Sequence, residues 1–162
     1  MTAIPKGAAR AVADLNEGVI HAAVEIEASP ERVFTALTTS ELAQWWGSAD
    51  TYRVTRFTMD LRPGGAWRSD GVSKDGKPFS VSGEVLEVSS PRLLVQTWKY
   101  DWDPSGTTTT IRYRIEATPT GSRVTVRHHG FANNAADCEA HALGWERVLE
   151  WLSAHAEGTG PR

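Results

Sequence analysis

The sequence is poor in the features that mark secreted, membrane-spanning and disulfide-bonded proteins. It has one cysteine, Cys138, in 162 residues, so no intramolecular disulfide can form and a reducing compartment is favoured. No apolar run approaches the length of a membrane span, and residues 1–16 lack the apolar core of a signal peptide. We therefore expect a cytoplasmic protein that does not insert into membranes.

An excess of positive charge is also absent. The chain has 17 Lys and Arg against 20 Asp and Glu, for a net charge of -3 at pH 7, and its basic residues are scattered. This balance argues against nucleic acid or an anionic membrane surface as a partner. A glycine-rich phosphate loop, a G-x-S-x-G elbow and an H-E-x-x-H helix are missing too, which excludes the functional classes that those motifs mark.

Aromatic residues, in contrast, are plentiful. The chain has seven tryptophans, and 40% of its residues are apolar, as in an ordinary globular protein of one domain. Large aromatic side chains supply much of the buried area in a core or an apolar pocket. The tryptophans therefore suggest a large core, an aromatic pocket, or both.

The last segment of the chain has the pattern of a long amphipathic helix over residues 135–156. On a helical wheel, Cys138, His141, Val148 and Leu149 are among the residues that share a broad apolar face with Trp145. Gly144 interrupts this helix, and an interior glycine costs about 1 kcal/mol relative to alanine. We interpret it as a point where the helix passes close to a strand.

The chain ahead of this helix reads mainly as strands. Seven segments alternate or are rich in β-branched residues, over 19–28, 52–61, 66–71, 79–88, 93–100, 108–117 and 122–129. Two short helices follow the first strand; Ser29 and Pro30 begin the first one, and the second ends at Trp45-Trp46-Gly47. Short turns between consecutive strands indicate an antiparallel sheet.

These elements predict an α+β helix-grip fold, in which a curved antiparallel sheet of about seven strands wraps around the long C-terminal helix. Such an arrangement normally leaves a cavity between sheet and helix. The predicted domain covers residues 18–157. Residues 1–17 are expected to be a loosely ordered arm, and residues 158–162 a tail.

Eight short motifs occur in an order that resembles a known family. They are Pro30-Glu31-x-Val33-Phe34, Trp45-Trp46-Gly47, Arg62-Pro63-Gly64-Gly65, Gly83-Glu84-Val85, Pro91-Arg92-Leu93, Thr97-Trp98, His128-x-Gly130-Phe131 and His141-x-x-Gly144-Trp145. The chain resembles, over residues 19–156, single-domain bacterial proteins related to the C-terminal domain of the activator of the ninety-kilodalton heat-shock-protein ATPase. That family belongs to the START-like superfamily, also called SRPBCC.

The resemblance implies three functions of different classes. The first is binding of a small hydrophobic or aromatic molecule in the cavity, without a cofactor. The second is an enzyme similar to the polyketide cyclases, and the third is an interaction module that stimulates a chaperone ATPase. The separate N-terminal domain that accompanies the co-chaperone activity in the eukaryotic proteins is not expected in this chain, which weakens the third function. A homodimer is left as an open alternative.

Strand alternation and the helical wheel identify the residues expected to line the cavity. Side chains alternate between the two faces of a strand, and in the last strand this alternation points His128 towards the helix and His129 towards solvent. Tyr113 lies on the same face of its strand as two isoleucines and is therefore expected to point inward. The alternation allows Trp98 on either face, and of the two adjacent tryptophans we expect Trp46, rather than Trp45, to point into the cavity. The predicted lining consists of Trp46, Phe57, Met59, Trp67, Trp98, Tyr113, His128, His141 and Trp145.

Some of these residues also have a chemical interpretation. His128 is either a hydrogen-bonded core histidine or, in an enzyme, a general acid or base with Tyr113 orienting a carbonyl. Cys138 is either a small buried residue or a nucleophile paired with His141. Histidine, aspartate and cysteine cluster over residues 128–141, but their spacing matches no common zinc pattern, so no metal is expected.

Overall fold

A computed structural model of the chain describes residues 8–101 and 107–158. The elements are β1 (Arg10–Asp14), β2 (Val19–Ile26), α1 (Pro30–Thr38), a 3₁₀ helix (Ser40–Gln44), β3 (Tyr52–Met59), β4 (Ala66–Ser73), β5 (Pro78–Ser89), β6 (Leu93–Tyr100), β7 (Thr109–Thr118), β8 (Gly121–His129) and α2 (Ala135–Ala156). The strands form one sheet in the order β1-β2-β8-β7-β6-β5-β4-β3. Every pairing is antiparallel.

Both main helices begin as their sequences predict. The side chain of Ser29 accepts a hydrogen bond from the backbone N–H of Arg32, and Pro30 occupies the first turn of α1. The side chain of Asn134 caps α2 by accepting from the N–H of Asp137. These caps satisfy amide groups that a helix leaves without partners at its start. The α+β helix-grip prediction is confirmed.

Within the described residues the sheet has eight strands rather than about seven as predicted, because part of the expected arm is ordered. Arg10–Asp14 pairs with β2 along its whole length, and the N–H of Ala11 donates to a carboxylate oxygen of Glu146 at 3.1 Å. The expectation of a loosely ordered arm is wrong for these residues. Alanine is depleted in strands, so the segment has little strand pattern of its own and depends on the backbone of β2. Residues 1–7 of the arm and 159–162 of the tail lie outside the described residues.

The position of α2 over the sheet is uneven. The helix lies close to β1, β2 and α1, and its inward side chains, among them Cys138, Leu149 and Leu152, are fully buried there. Its backbone does not approach β3–β6 in the same way. The helix therefore closes the core at one side of the sheet and leaves a space over the other. None of the helices in the described ranges is both long and apolar enough to cross a membrane.

Polar contacts fix the C-terminal end of α2. One carboxylate oxygen of Glu41, in the 3₁₀ helix, accepts from Nε2 of His155 at 2.6 Å and from a guanidinium nitrogen of Arg32 in α1. The three side chains belong to three different helices. The carboxylate thus links the end of α2 to the two short helices.

Candidate functional site

A cavity of about 590 Å³ occupies the space between α2 and strands β3–β7. Ligand pockets in proteins have volumes of about 300–1,000 Å³ and mostly apolar walls. Eight aromatic side chains line this one: Trp46, Tyr52, Phe57, Trp67, Phe79, Trp98, Tyr100 and Tyr113. Aliphatic residues such as Leu37, Leu42 and Ile111 complete the apolar part. At the rim, Leu143 is 64% exposed, so the cavity reaches solvent beside α2.

Six of the nine residues predicted to line the cavity do so, namely Trp46, Phe57, Trp67, Trp98, Tyr113 and His141. The other three, Met59, His128 and Trp145, do not. Met59 is half-buried at the end of β3 and packs against the core outside the cavity. His128 and Trp145 are buried behind the side chains that line the cavity, where they form a hydrogen bond with each other.

His128 is a core residue whose ring nitrogens both have partners. Its Nδ1 accepts a hydrogen bond from Nε1 of Trp145 at 3.0 Å, so the proton of a neutral ring is on Nε2. That nitrogen lies 2.7 Å from the hydroxyl of Thr109 and donates to it. The Thr109 hydroxyl in turn donates to the carbonyl oxygen of Trp98 at 3.3 Å. Every donor proton in this series of hydrogen bonds therefore has an acceptor.

Burial keeps the His128 ring neutral. The side chain is 1% exposed, and burial, with smaller contributions from His141 and His129, lowers its pKa well below the ordinary 6.5. A charged imidazole in such a place would lack water and a counter-charge. Of the two interpretations of His128, the structure favours the hydrogen-bonded core histidine, since the ring does not line the cavity.

Trp145 supports the cavity wall without lining it. The ring is 4% exposed and packs edge-on against two lining rings, those of Trp46 at 6.0 Å and Tyr113 at 5.8 Å between centroids. Edge-to-face packing of this kind favours one relative orientation of the rings. Trp145 therefore holds the two lining aromatics in place from behind.

Gly144 has the opposite role to the one predicted. A Cβ atom at this position would meet no described atom within 4 Å outside its neighbours in the helix, so no strand passes close to it. Instead Gly144 lines the cavity. Any larger residue would project its side chain into that space, so the glycine is explained by the volume of the cavity and not by close packing.

Gly83, in β5, does mark a close approach. A Cβ atom there would lie 2.0 Å from the carbonyl oxygen of Thr97 and 2.7 Å from Nε1 of Trp67. The absence of a side chain lets that indole donate to the same carbonyl at 2.8 Å. The hydrogen bond satisfies the polar edge of Trp67 and leaves its ring facing the cavity.

The two adjacent tryptophans separate at the end of the 3₁₀ helix. Trp46 lines the cavity and donates from Nε1 to the hydroxyl of Tyr52 at 3.1 Å, as preferred from the sequence. Trp45 is also buried, but on the other side, where its Nε1 donates to the carbonyl of Ala36 at 2.9 Å. One ring therefore serves the core and the other the cavity.

A chain of polar groups lies on the cavity wall beside α2. Nδ1 of His141 is 2.9 Å from the carbonyl oxygen of Asp137 and 3.3 Å from its carboxylate. Because Nδ1 donates to that carbonyl, Nε2 accepts from the hydroxyl of Tyr100 at 3.0 Å. Burial and the charge of Asp137 raise the pKa of Tyr100, so its phenol stays protonated. All three residues line the cavity.

Tyr100 and Asp137 were not predicted to line the cavity, although the sequence contains signals for both. Tyr100 has the same strand parity as Trp98, and Asp137 precedes His141 by four residues, which places both side chains on one face of a helix. Cys138, in contrast, is fully buried, and burial followed by the charges of Asp137 and Asp14 raises its thiol pKa. This favours the small buried residue over the nucleophile. Across the described ranges, no group of three or more His, Cys, Asp or Glu side chains is arranged to hold a metal ion.

Solved structures share this architecture. A protein of Rhodobacter sphaeroides is 19% identical, with a TM-score of 0.77 and coverage of 93% of this chain and 99% of that one. Protein CV1439 from Chromobacterium violaceum is 23% identical, with a TM-score of 0.77 and coverage of 86% and 97%. CalU16 from Micromonospora echinospora is 20% identical, with a TM-score of 0.62 and coverage of 88% and 76%. At these identities the likeness concerns the fold.

Sequence comparison supplies the family. Among curated proteins, none matches the chain. The family model described as "Activator of Hsp90 ATPase homolog 1-like protein" matches residues 27–157, which is most of the 162-residue chain. The motifs that suggested this resemblance and the helix-grip fold agree with the match. The chain therefore belongs to the family of Activator of Hsp90 ATPase homolog 1-like proteins, within the START-like superfamily.

Proposed function

We propose that the protein binds a small hydrophobic or aromatic molecule in the cavity between the sheet and α2. The observation that carries this proposal is the cavity itself, about 590 Å³ in volume and lined by eight aromatic rings. An apolar ligand that covers these rings would remove them from water, and each Å² of apolar surface so buried contributes about 25 cal/mol. No cofactor is needed for this role.

The presence of a glycine at position 144 is a second, energetic argument for the proposal. An interior helical glycine costs about 1 kcal/mol relative to alanine, and no close packing at this position offsets the cost. Retaining it makes physical sense if the space in front of it is used. A bound molecule would rest against the bare backbone of the helix there.

Titration with a panel of aromatic compounds, followed by tryptophan fluorescence, tests the proposal. Three lining tryptophans, Trp46, Trp67 and Trp98, would report on a ligand directly. Gly144→Leu, which fills part of the cavity, should weaken binding at least tenfold, whereas Glu150→Leu on the exposed face of α2 should not. Failure of every compound to bind at millimolar concentration would contradict the proposal.

The polar chain of Tyr100, His141 and Asp137 supports a second candidate function, general acid–base catalysis in the same cavity. A substrate proton would move to the oxygen of Tyr100 while the Tyr100 proton moves to Nε2 of His141. The carboxylate of Asp137 would stabilise the imidazolium that forms. The acid–base group on the cavity wall would thus be His141 and not His128.

The test of this second function separates binding from chemistry. The protein is incubated in D₂O with an aryl ketone that it binds, and exchange at the carbon next to the carbonyl is followed by NMR. His141→Asn should abolish exchange above the uncatalysed rate with less than a threefold change in affinity. If the wild-type protein produces no exchange with any ketone it binds, the site has no such activity.

A further inference from the structure

Two of the polar side chains on the sheet face of the cavity lie on the neighbouring strands β6 and β7 and form no hydrogen bond within the described ranges. Gln96 in β6 is 5% exposed and Tyr113 in β7 is 3% exposed, and both line the cavity. No described residue forms a hydrogen bond with the amide of Gln96 or the hydroxyl of Tyr113. Within the described ranges, Ser153 Oγ is the one fully buried side-chain polar atom without a partner, so the polar atoms of Gln96 and Tyr113 are open to the cavity and can bind a group that enters it.

The strand register brings these two side chains to one place. Gln96 lies opposite Ile111, and Tyr113 lies opposite Leu94. Gln96 and Tyr113 are therefore diagonal neighbours on adjacent strands, a relationship in which side chains lie about 7–8 Å apart. One small group between them can reach both. Trp145 packs against the Tyr113 ring from behind and holds it in position.

The chemistry of the pair selects the group that fits between them. Burial, with a smaller effect from Tyr52, raises the pKa of Tyr113, so its phenol remains a hydrogen-bond donor. The amide of Gln96 has two N–H donors. A carbonyl oxygen accepts two hydrogen bonds, one for each of its lone pairs, and satisfies a donor from each side chain.

The charge distribution excludes an ion at this position. Besides tyrosine, the charged or titratable residues of the lining are Asp137, His141 and Arg147, and all three belong to α2. Neither β6 nor β7 contributes a charged side chain to the lining beside Gln96 and Tyr113. A carboxylate held between Gln96 and Tyr113 would be buried without a cation, which is strongly unfavourable. The group bound there must be neutral.

We infer that Gln96 and Tyr113 form a carbonyl-binding subsite, and that the ligand is an uncharged ketone, ester or amide with an aromatic or apolar body. This inference rests on the proposed binding function and deepens it. The carbonyl oxygen accepts from both side chains on the sheet, and the apolar body lies among the aromatic rings towards α2.

Three probes of nearly equal shape test the subsite by calorimetric titration. They are 2-acetylnaphthalene, 2-isopropenylnaphthalene, in which a CH₂ group replaces the carbonyl oxygen, and 2-naphthoate. The wild-type protein should bind the ketone about tenfold more tightly than the hydrocarbon, as expected for one additional net hydrogen bond. It should bind the carboxylate at least tenfold more weakly than the ketone.

Substitutions test whether Gln96 and Tyr113 cause the preference for the ketone over the hydrocarbon. Tyr113→Phe and Gln96→Leu should each reduce the preference for the ketone to less than threefold while keeping affinity for the hydrocarbon, which also shows that the variant is folded. Gln44→Leu is the matched control, since Gln44 is exposed on the 3₁₀ helix, and it should keep the tenfold preference.

The outcomes separate the two proposals. If the wild-type protein binds the ketone and the hydrocarbon with equal affinity, the carbonyl subsite is refuted and the proposed binding function stands. The same conclusion follows if the carboxylate binds most tightly of the three. If none of the three probes binds at millimolar concentration, the cavity is not a site for such molecules, and both proposals fail.

Discussion

Nε1 of Trp145 donates a hydrogen bond to Nδ1 of His128 across 3.0 Å. This contact joins α2 to β8 behind the cavity wall and determines which nitrogen of the histidine carries the proton. It also explains how a histidine can be 1% exposed and still have every polar atom paired. The same indole ring supports two aromatic residues that face the cavity.

Removing the indole N–H should therefore destabilise the fold. In Trp145→Phe, Nδ1 of His128 loses its donor, and a buried acceptor without a partner costs about 1–3 kcal/mol. The lost ring volume adds to this, so the free energy of unfolding in urea should fall by at least about 2 kcal/mol. A double-mutant cycle with His128→Leu isolates the hydrogen bond. Strict additivity of the two substitutions would show that it contributes nothing.

The neutral state of His128 gives the protein a characteristic pH dependence. Because its folded-state pKa lies well below 6.5, the unfolded chain binds a proton that the folded protein does not bind. Stability is therefore full above about pH 6.5 and falls as the pH is lowered, by up to about 1.4 kcal/mol per pH unit for one such group. The lowered pKa of His129, caused first by burial and then by Arg127 and Arg112, acts in the same direction.

Thermal unfolding between pH 8 and pH 5 measures this effect, with His128→Leu for comparison. The melting temperature of the wild-type protein should begin to fall near pH 6.5, and the fall should be smaller in His128→Leu. Identical profiles for the two proteins would show that His128 is not the group responsible.

Gly144→Ala should stabilise the protein. The added methyl group meets nothing in the cavity, and alanine gains about 1 kcal/mol over glycine in a helix interior. Chemical denaturation measures the change, and Gly83→Ala is the contrasting variant, since its Cβ would clash with the backbone of β6 and should lower stability. A loss of stability in Gly144→Ala would mean that the space in front of this residue is not free.

Glu41→Gln should loosen the end of α2. Burial alone would raise the pKa of Glu41, but hydrogen bonds from His155 and Arg32 outweigh it and lower the pKa. The carboxylate side chain is 20% exposed and His155 is 21% exposed, so their interaction is partly shielded from solvent. We expect a loss of about 1 kcal/mol at pH 7, measured by urea denaturation.

Glu150→Gln is the control for this substitution, because Glu150 is exposed on the same helix. The stabilisation from Glu41 is present above the unfolded-state pKa, close to 4.5, and is lost as the pH falls through the lower folded-state value. The difference between wild type and Glu41→Gln should therefore shrink at acidic pH. A difference that does not depend on pH would contradict the ion-pair account.

Much of the fold could be predicted because it depends on local patterns. The period-two alternation of strands such as β7 and the broad apolar face of α2 fix their types and directions. β1 escaped prediction because its alanines carry little strand propensity, and its order comes from pairing with β2. Long-range pairing of this kind leaves no local signal in the sequence.

The candidate site was predictable as a set of inward residues, but not as a cavity. The strand alternation placed His128 inside correctly, yet it could not show that the rings of Trp98, His141 and Trp145 pack around it and that it does not line the cavity. The cost of Gly144 indicated a special position, and a sequence cannot distinguish a close contact from a void. Both questions depend on where α2 lies over the sheet.

The most direct test of the binding proposal is a crystal structure of the protein grown with 2-bromonaphthalene, with the bromine located by its anomalous signal. Binding in the cavity should give one strong bromine peak between Gly144 of α2 and the sheet residues Trp98 and Tyr113. A cavity filled by its own side chains, or bromine found only at the surface, would contradict it.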